Sequence, residues 1–127
     1  MESSIQIIAG VSFLVVGLSH LFRPRVWAQF FIDLRERGEV ASFHVALIHL
    51  PLGALIVGFH NVWRGAGLVL TLIGWAYILK SLVYFLWPRY GLRALARVSV
   101  ERAWEFAAGG VLLAAYGGFL LYTAFRG

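Results

Sequence analysis

The sequence predicts an all-α integral membrane protein: a four-helix bundle built from two parallel-repeat helical hairpins, with two amphipathic connectors lying in the interface. Three observations predict it. Of 127 residues, 61% are apolar and 13% charged, and the mean hydropathy is +0.80, values at which lipid rather than water must face most side chains. Four apolar stretches each run for about 20 residues, enough to cross a hydrocarbon core of roughly 30 Å. The chain also repeats with an offset of 64, which lays Gly10 on Gly74, Phe13 on Tyr77, Leu14 on Ile78, Leu18 on Leu82, Pro24 on Pro88 and Arg25 on Arg89. A single transmembrane domain, residues 1–127, is thus expected to divide into repeat 1 (1–65) and repeat 2 (66–127).

The first span, Ile5 to Phe22, rises roughly 27 Å at about 1.5 Å per residue. Met1-Glu2-Ser3-Ser4 carries no basic residue and no small-x-small site follows the apolar run, so this span is expected to stay in the protein rather than be cleaved as a leader. Pro24 stops it. In the connector, Trp27, Phe30, Phe31 and Leu34 follow i, i+3, i+4, i+7 spacing against Arg25, Asp33, Arg35 and Arg37, the pattern of a short surface helix that Gly38 ends.

The second span, Ser42 to Trp63, carries His44, His49, Pro51, His60 and Asn61 in an otherwise apolar run. Pro51 has no N–H for the carbonyl of Leu47, so a kink is expected there. A tight return through WRGAG leads to the third span, residues 67 to 88, whose only charge is Lys80. Its connector again mixes Tyr90, Leu92, Leu95 and Val98 with arginines. The fourth span, Ala103 to Phe125, places Gly110, Ala114 and Gly118 at every fourth position, a surface for close backbone approach and the basis for expecting a homo-oligomer, in the simplest case a homodimer.

The formal charge of +5 comes from arginines gathered between apolar spans, which fits a membrane surface and argues against a nucleic-acid partner. Arg23, Arg25, Arg35 and Arg37 lie in the first connector and Arg89, Arg93, Arg97 and Arg102 in the second, whereas the other side has only Arg64 and Arg126. The positive-inside bias then puts both connectors in the cytoplasm and both termini outside, with a pseudo-two-fold axis along the membrane normal. Without cysteine there is no disulfide framework, thiolate metal site or covalently attached haem.

Candidate site residues form a polar layer in the cytoplasmic half: His20, His44, His49, Lys80, Tyr84 and Glu105. A lysine near the middle of a span costs at least about 2.5 to 3.5 kcal/mol unless something offsets it. Tyr77 and Tyr84 share its face, snorkelling toward the cytoplasmic end is the structural alternative, and Glu105 is the natural counter-charge across an antiparallel hairpin. His20 with His44 or His49 offers two imidazoles for haem, although His44 and His49, five apart, point to different faces. For His60 and Asn61 helix capping is the default and an outer-side binding role the alternative.

The glycine-punctuated first span GVSFLVVGLSHLFRP, leading to an interfacial proline, resembles the first helix of small four-span bacterial membrane proteins of the DoxX-like kind. The resemblance implies a helical bundle in a bacterial plasma (inner) membrane, in a group whose members are mostly uncharacterised or act as accessory subunits in redox pathways. It carries no catalytic residue onto this chain.

Three function classes follow. The first is a non-enzymatic binding or accessory subunit holding a small apolar ligand, a quinone or a lipid, between helices. The second is an ion- or proton-coupled transporter using Lys80 and Glu105. The third is a haem-binding electron carrier using His20 and His44.

Overall fold

The computed structural model describes residues 2 to 126, and those residues form six α-helices and no strand. In chain order they are α1 (Glu2–Phe22), α2 (Pro24–Arg35), α3 (Val40–Phe59), α4 (Gly67–Leu86), α5 (Pro88–Ala96) and α6 (Trp104–Arg126). Four of them, α1, α3, α4 and α6, are long and apolar enough to cross a membrane, and in none of these spans is more than 33% of the apolar window buried inside the protein. Lipid is therefore the medium for most of their surface. The all-helical membrane architecture expected from the sequence is the one observed.

The breaks fall where backbone chemistry demands them. Pro24 and Pro88 each open a connector helix, where a missing N–H costs nothing, and the residue before Pro88, Trp87, leaves the helical region at φ −129°, ψ 73°. Gly38 and Gly65 adopt φ +75° and +64°, left-handed values that let the chain reverse into α3 and α4. The second span is shorter than expected: α3 ends at Phe59, and His60 is its C-cap at φ −142°, ψ 73°. Pro51 lies inside α3 without ending it.

Packing divides the chain into two compact units, Asp33–Arg97 and Glu2–Ile32 with the chain from Val98 onward. In the first, α3 packs along α4 and α5 seats on both; in the second, α1 packs along α6. Each unit thus takes one span from each sequence repeat, and the repeat survives in the contacts. A methyl group on Gly117 of α6 would stand 2.7 Å from the carbonyl oxygen of Gly10, and one on Gly53 of α3 would stand 2.9 Å from that of Gly74. Gly117 and Gly53, like Gly10 and Gly74, differ by the same 64 positions. Two of the three small residues expected to receive a second copy of the chain are used here instead, since Gly17 of α1 meets Gly110 and Ala114 of α6. Of that ladder only Gly118 has open space beside it.

Candidate functional site

In the α3–α4 unit, antiparallel packing with Gly53 against Gly74 brings the middle of one helix to the middle of the other. The His49 ring meets the Tyr77 ring edge-on at 4.8 Å between centroids. One turn along α4, Lys80 carries its Nζ to 5.5 Å from the centroid of Tyr84, and Tyr84 in turn meets Tyr90 of α5 at 6.4 Å. His49, Tyr77, Lys80, Tyr84 and Tyr90 thus form a ribbon of amphipathic side chains running from mid-span to the connector. Tyr84 is buried; His49, Tyr77 and Lys80 are half-buried.

The hydrogen-bonding roles in this ribbon follow from simple valence. His49 Nδ1 lies 2.8 Å from the carbonyl oxygen of Val45, which can only accept, so Nδ1 carries the hydrogen and a neutral ring presents Nε2 as an acceptor. Lys80 supplies donors. No carboxylate pairs with Lys80 among the described residues; Glu39 of this unit holds Arg89 at 3.1 Å. Donor and acceptor therefore sit on adjoining helices with lipid around them.

Three short hydroxyls hold this unit together. Ser42 Oγ donates to the carbonyl of Pro88 at 2.5 Å, seating the start of α5 on α3. Ser81 Oγ lies 2.7 Å from the Tyr77 carbonyl and 3.3 Å from that of Ala46 across the helix interface. Thr71 Oγ1, fully buried, accepts from Val62 N–H at 2.9 Å and lies 2.7 Å from the Val62 carbonyl and 3.1 Å from that of His60. His60, 3% exposed, directs Nε2 to the Gly67 carbonyl at 3.0 Å, and its Nδ1 has no partner among the described residues. It staples the turn between α3 and α4. Ser42, Thr71 and Ser81 went unremarked in the sequence, where their one signal is divergence at the repeat offset, from Phe106, Ile7 and Gly17 respectively.

The other candidates have different surroundings. His44, on α3, is half-buried and makes no hydrogen bond or ring contact among the described residues. His20 belongs to the α1–α6 unit, where its ring stacks on Trp27 at 4.0 Å and tilts against Phe106 at 5.7 Å while Nδ1 donates to the Val16 carbonyl at 2.8 Å. The ring thus sits in an aromatic cluster. The same cluster continues through Phe31, stacked on Phe106, and Trp27 Nε1 donates to Ser19 Oγ at 2.8 Å, pinning α2 to the end of α1.

Glu105 lies in the first turn of α6, where the helix terminus favours a carboxylate, and it accepts from Arg102 at 2.7 Å. Lys80 and Glu105 thus belong to different packing units, and each has its nearest described partner within its own. Within either unit no two histidines come from opposed helices, because His44, His49 and His60 all lie on α3 or its cap. No group of three or more metal-ligating side chains forms among the described residues.

Fold and contacts together define a multi-pass membrane protein of paired helices with a polar ribbon along one pair. Compared with known protein families, curated proteins and solved structures, the chain matches none.

Proposed function

We propose that this chain is a non-enzymatic membrane subunit that holds the polar head of a lipid-soluble ligand, of the quinone and quinol class, against α3 and α4. One observation carries the proposal: Lys80, inside a span and without a carboxylate partner among the described residues, lies one turn along α4 from Tyr77, against which the His49 imidazole with its acceptor nitrogen is packed. A quinone carbonyl accepts from Lys80 and a quinol hydroxyl donates to His49 Nε2, so one pair of side chains serves both redox forms. Tyr84 supplies an aromatic face to the amine and Tyr77 one to the imidazole. A lysine retained in lipid despite its cost is by default a functional residue.

The likeness of the first span to DoxX-like proteins is in keeping with an accessory role in a bacterial inner membrane, and the arginine count favours connectors on its cytoplasmic face. A transporter using Lys80 and Glu105 draws less support, because Glu105 is engaged by Arg102 in an exposed pair.

The test is to purify the protein in a mild detergent, extract it with organic solvent and identify retained quinones and lipids by mass spectrometry. The wild type should retain a stoichiometric quinone, and Lys80→Met or His49→Leu should lose most of it while remaining folded by circular dichroism. A wild-type protein free of quinone, or a Lys80→Met variant that keeps it, would overturn the proposal.

A further inference from the structure

The connector side of the α3–α4 unit holds a second feature, separate from the ribbon. Gly38 and Glu39 at the start of α3, with Arg89, Leu92, Arg93 and Ala96 on α5, line an open groove of about 480 Å³. Arg89 and Arg93 are four residues apart on α5 and so share a face, with Cβ atoms about 5 to 6 Å apart. Glu39 accepts from Arg89 Nε at 3.1 Å, which leaves both terminal nitrogens of that guanidinium without a partner among the described residues. Arg93 has no partner there either. Two guanidinium groups against one carboxylate leave the groove with a net positive charge.

The flanking residues suit an interfacial depth. Trp87 and Tyr90, which bracket Arg89, are 61% and 59% exposed, as expected of aromatic anchors at a membrane interface. Leu92 and Ala96 give the same groove an apolar wall.

We infer that this groove is a binding site for the phosphate headgroup of an anionic phospholipid, with Arg89 and Arg93 on the phosphate oxygens and the acyl chains against Leu92. A planar guanidinium donates two parallel hydrogen bonds to a phosphate, and two of them at this spacing span one phosphodiester. The apolar wall favours a lipid over free phosphate, which has nothing to place there. The site is not duplicated. At the repeat offset Arg89 matches Arg25, but Arg93 matches Gln29 and Glu39 matches Ala103, so the α1–α6 unit has neither the second guanidinium nor its acidic counterpart. That difference supplies an internal control of equal charge.

Delipidated protein is titrated with phosphatidylglycerol and, separately, with phosphatidylcholine, and bound lipid is counted by native mass spectrometry. Wild type should bind one phosphatidylglycerol per chain at least tenfold more tightly than phosphatidylcholine. The double variant Arg89→Gln, Arg93→Gln should lose that preference, the control double variant Arg23→Gln, Arg25→Gln should keep it, and Glu39→Gln should strengthen it. Equal loss in both double variants would show a diffuse charge effect and overturn the assignment. Displacement of the lipid by millimolar inorganic phosphate, or equal affinity for the two lipids, would overturn it as well.

Discussion

Ser81 of α4 touches the carbonyl of Ala46 on α3 at the position where, one repeat earlier, Gly17 of α1 meets Gly110 of α6. The same crossing is thus made twice with different chemistry. In one unit a hydroxyl spans the interface, and in the other two backbones close to direct contact.

The two versions should respond differently to a single methyl group. Ser81→Ala forfeits one hydrogen bond that is already shared with Tyr77, and across membrane helices such bonds average about 0.6 kcal/mol. A methyl on Gly17 would stand 2.5 Å from Ala114 N and 2.8 Å from the Gly110 carbonyl oxygen, so α1 and α6 must separate at a cost of about 1 to 3 kcal/mol. Gly109→Ala, next to Gly110 but facing open space, should leave stability unchanged or slightly raised. Thermal unfolding in detergent, followed by tryptophan fluorescence, ranks the three variants. An order other than Gly17→Ala well below Ser81→Ala and Gly109→Ala would contradict the described packing.

Removing Lys80 should separate stability from binding. Lys80→Met relieves a desolvation cost, smaller than the mid-span figure because the residue lies six positions from the end of α4, so a gain of about 1 kcal/mol is expected. The same variant should lose the retained quinone. Measuring the unfolding midpoint and the extracted ligand on one preparation checks both signs together.

The turn between α3 and α4 depends on the Thr71 hydroxyl rather than on its shape. Thr71→Val keeps the volume but leaves the part-buried Val62 N–H unpaired, at a cost of about 1 kcal/mol, whereas Thr71→Ser should cost less than about half of that. His60→Gln, which can return an amide donor toward the Gly67 carbonyl, should be milder than His60→Leu. Equal midpoints for Thr71→Val and wild type would remove the hub from the description.

Arg35 closes the far end of α5 by donating to the carbonyls of Leu95 and Ala96 at 3.1 and 3.3 Å. Those carbonyls close the last turn of a helix of only nine residues, where backbone partners run out. Arg35→Ala should therefore accelerate amide exchange across residues 92 to 97 by roughly tenfold, corresponding to about 1.4 kcal/mol, while α4 remains protected. Uniform acceleration over both helices would mean that the effect is global rather than a lost cap.

Helix number, order and the breaks at Pro24, Gly38, Gly65 and Pro88 were legible because prolines and glycines act locally, whereas the end of α3 at Phe59 was not. Pro24, Pro88, Gly38 and Gly65 determine a backbone angle whatever lies beside them. The choice of helix partners was not legible in the same way. Gly10 can close on a small residue of any apolar helix, and only its contact with Gly117 rather than with a glycine of α3 reveals that the pairs cross between repeats. The candidate site divided along the same line. His49, Lys80 and Tyr84 stood out as polar groups in lipid and fall within one helix pair, while His20 and Glu105 stood out equally and belong to the other. Hydropathy registers that a charge is present, not which helix faces it.

The crossing of repeats between the two units bears on how such a chain could have originated. A half-length ancestor of helix, connector and helix would hold both its spans away from their partners, and two separate copies exchanging arms would satisfy both sets of contacts at once. Fusion through the exposed segment around Gly65 would then have turned an intermolecular handshake into an intramolecular one. Cutting the gene again at that glycine and producing residues 1–64 and 65–127 as separate polypeptides should restore the handshake, with each fragment recovered only in the company of the other.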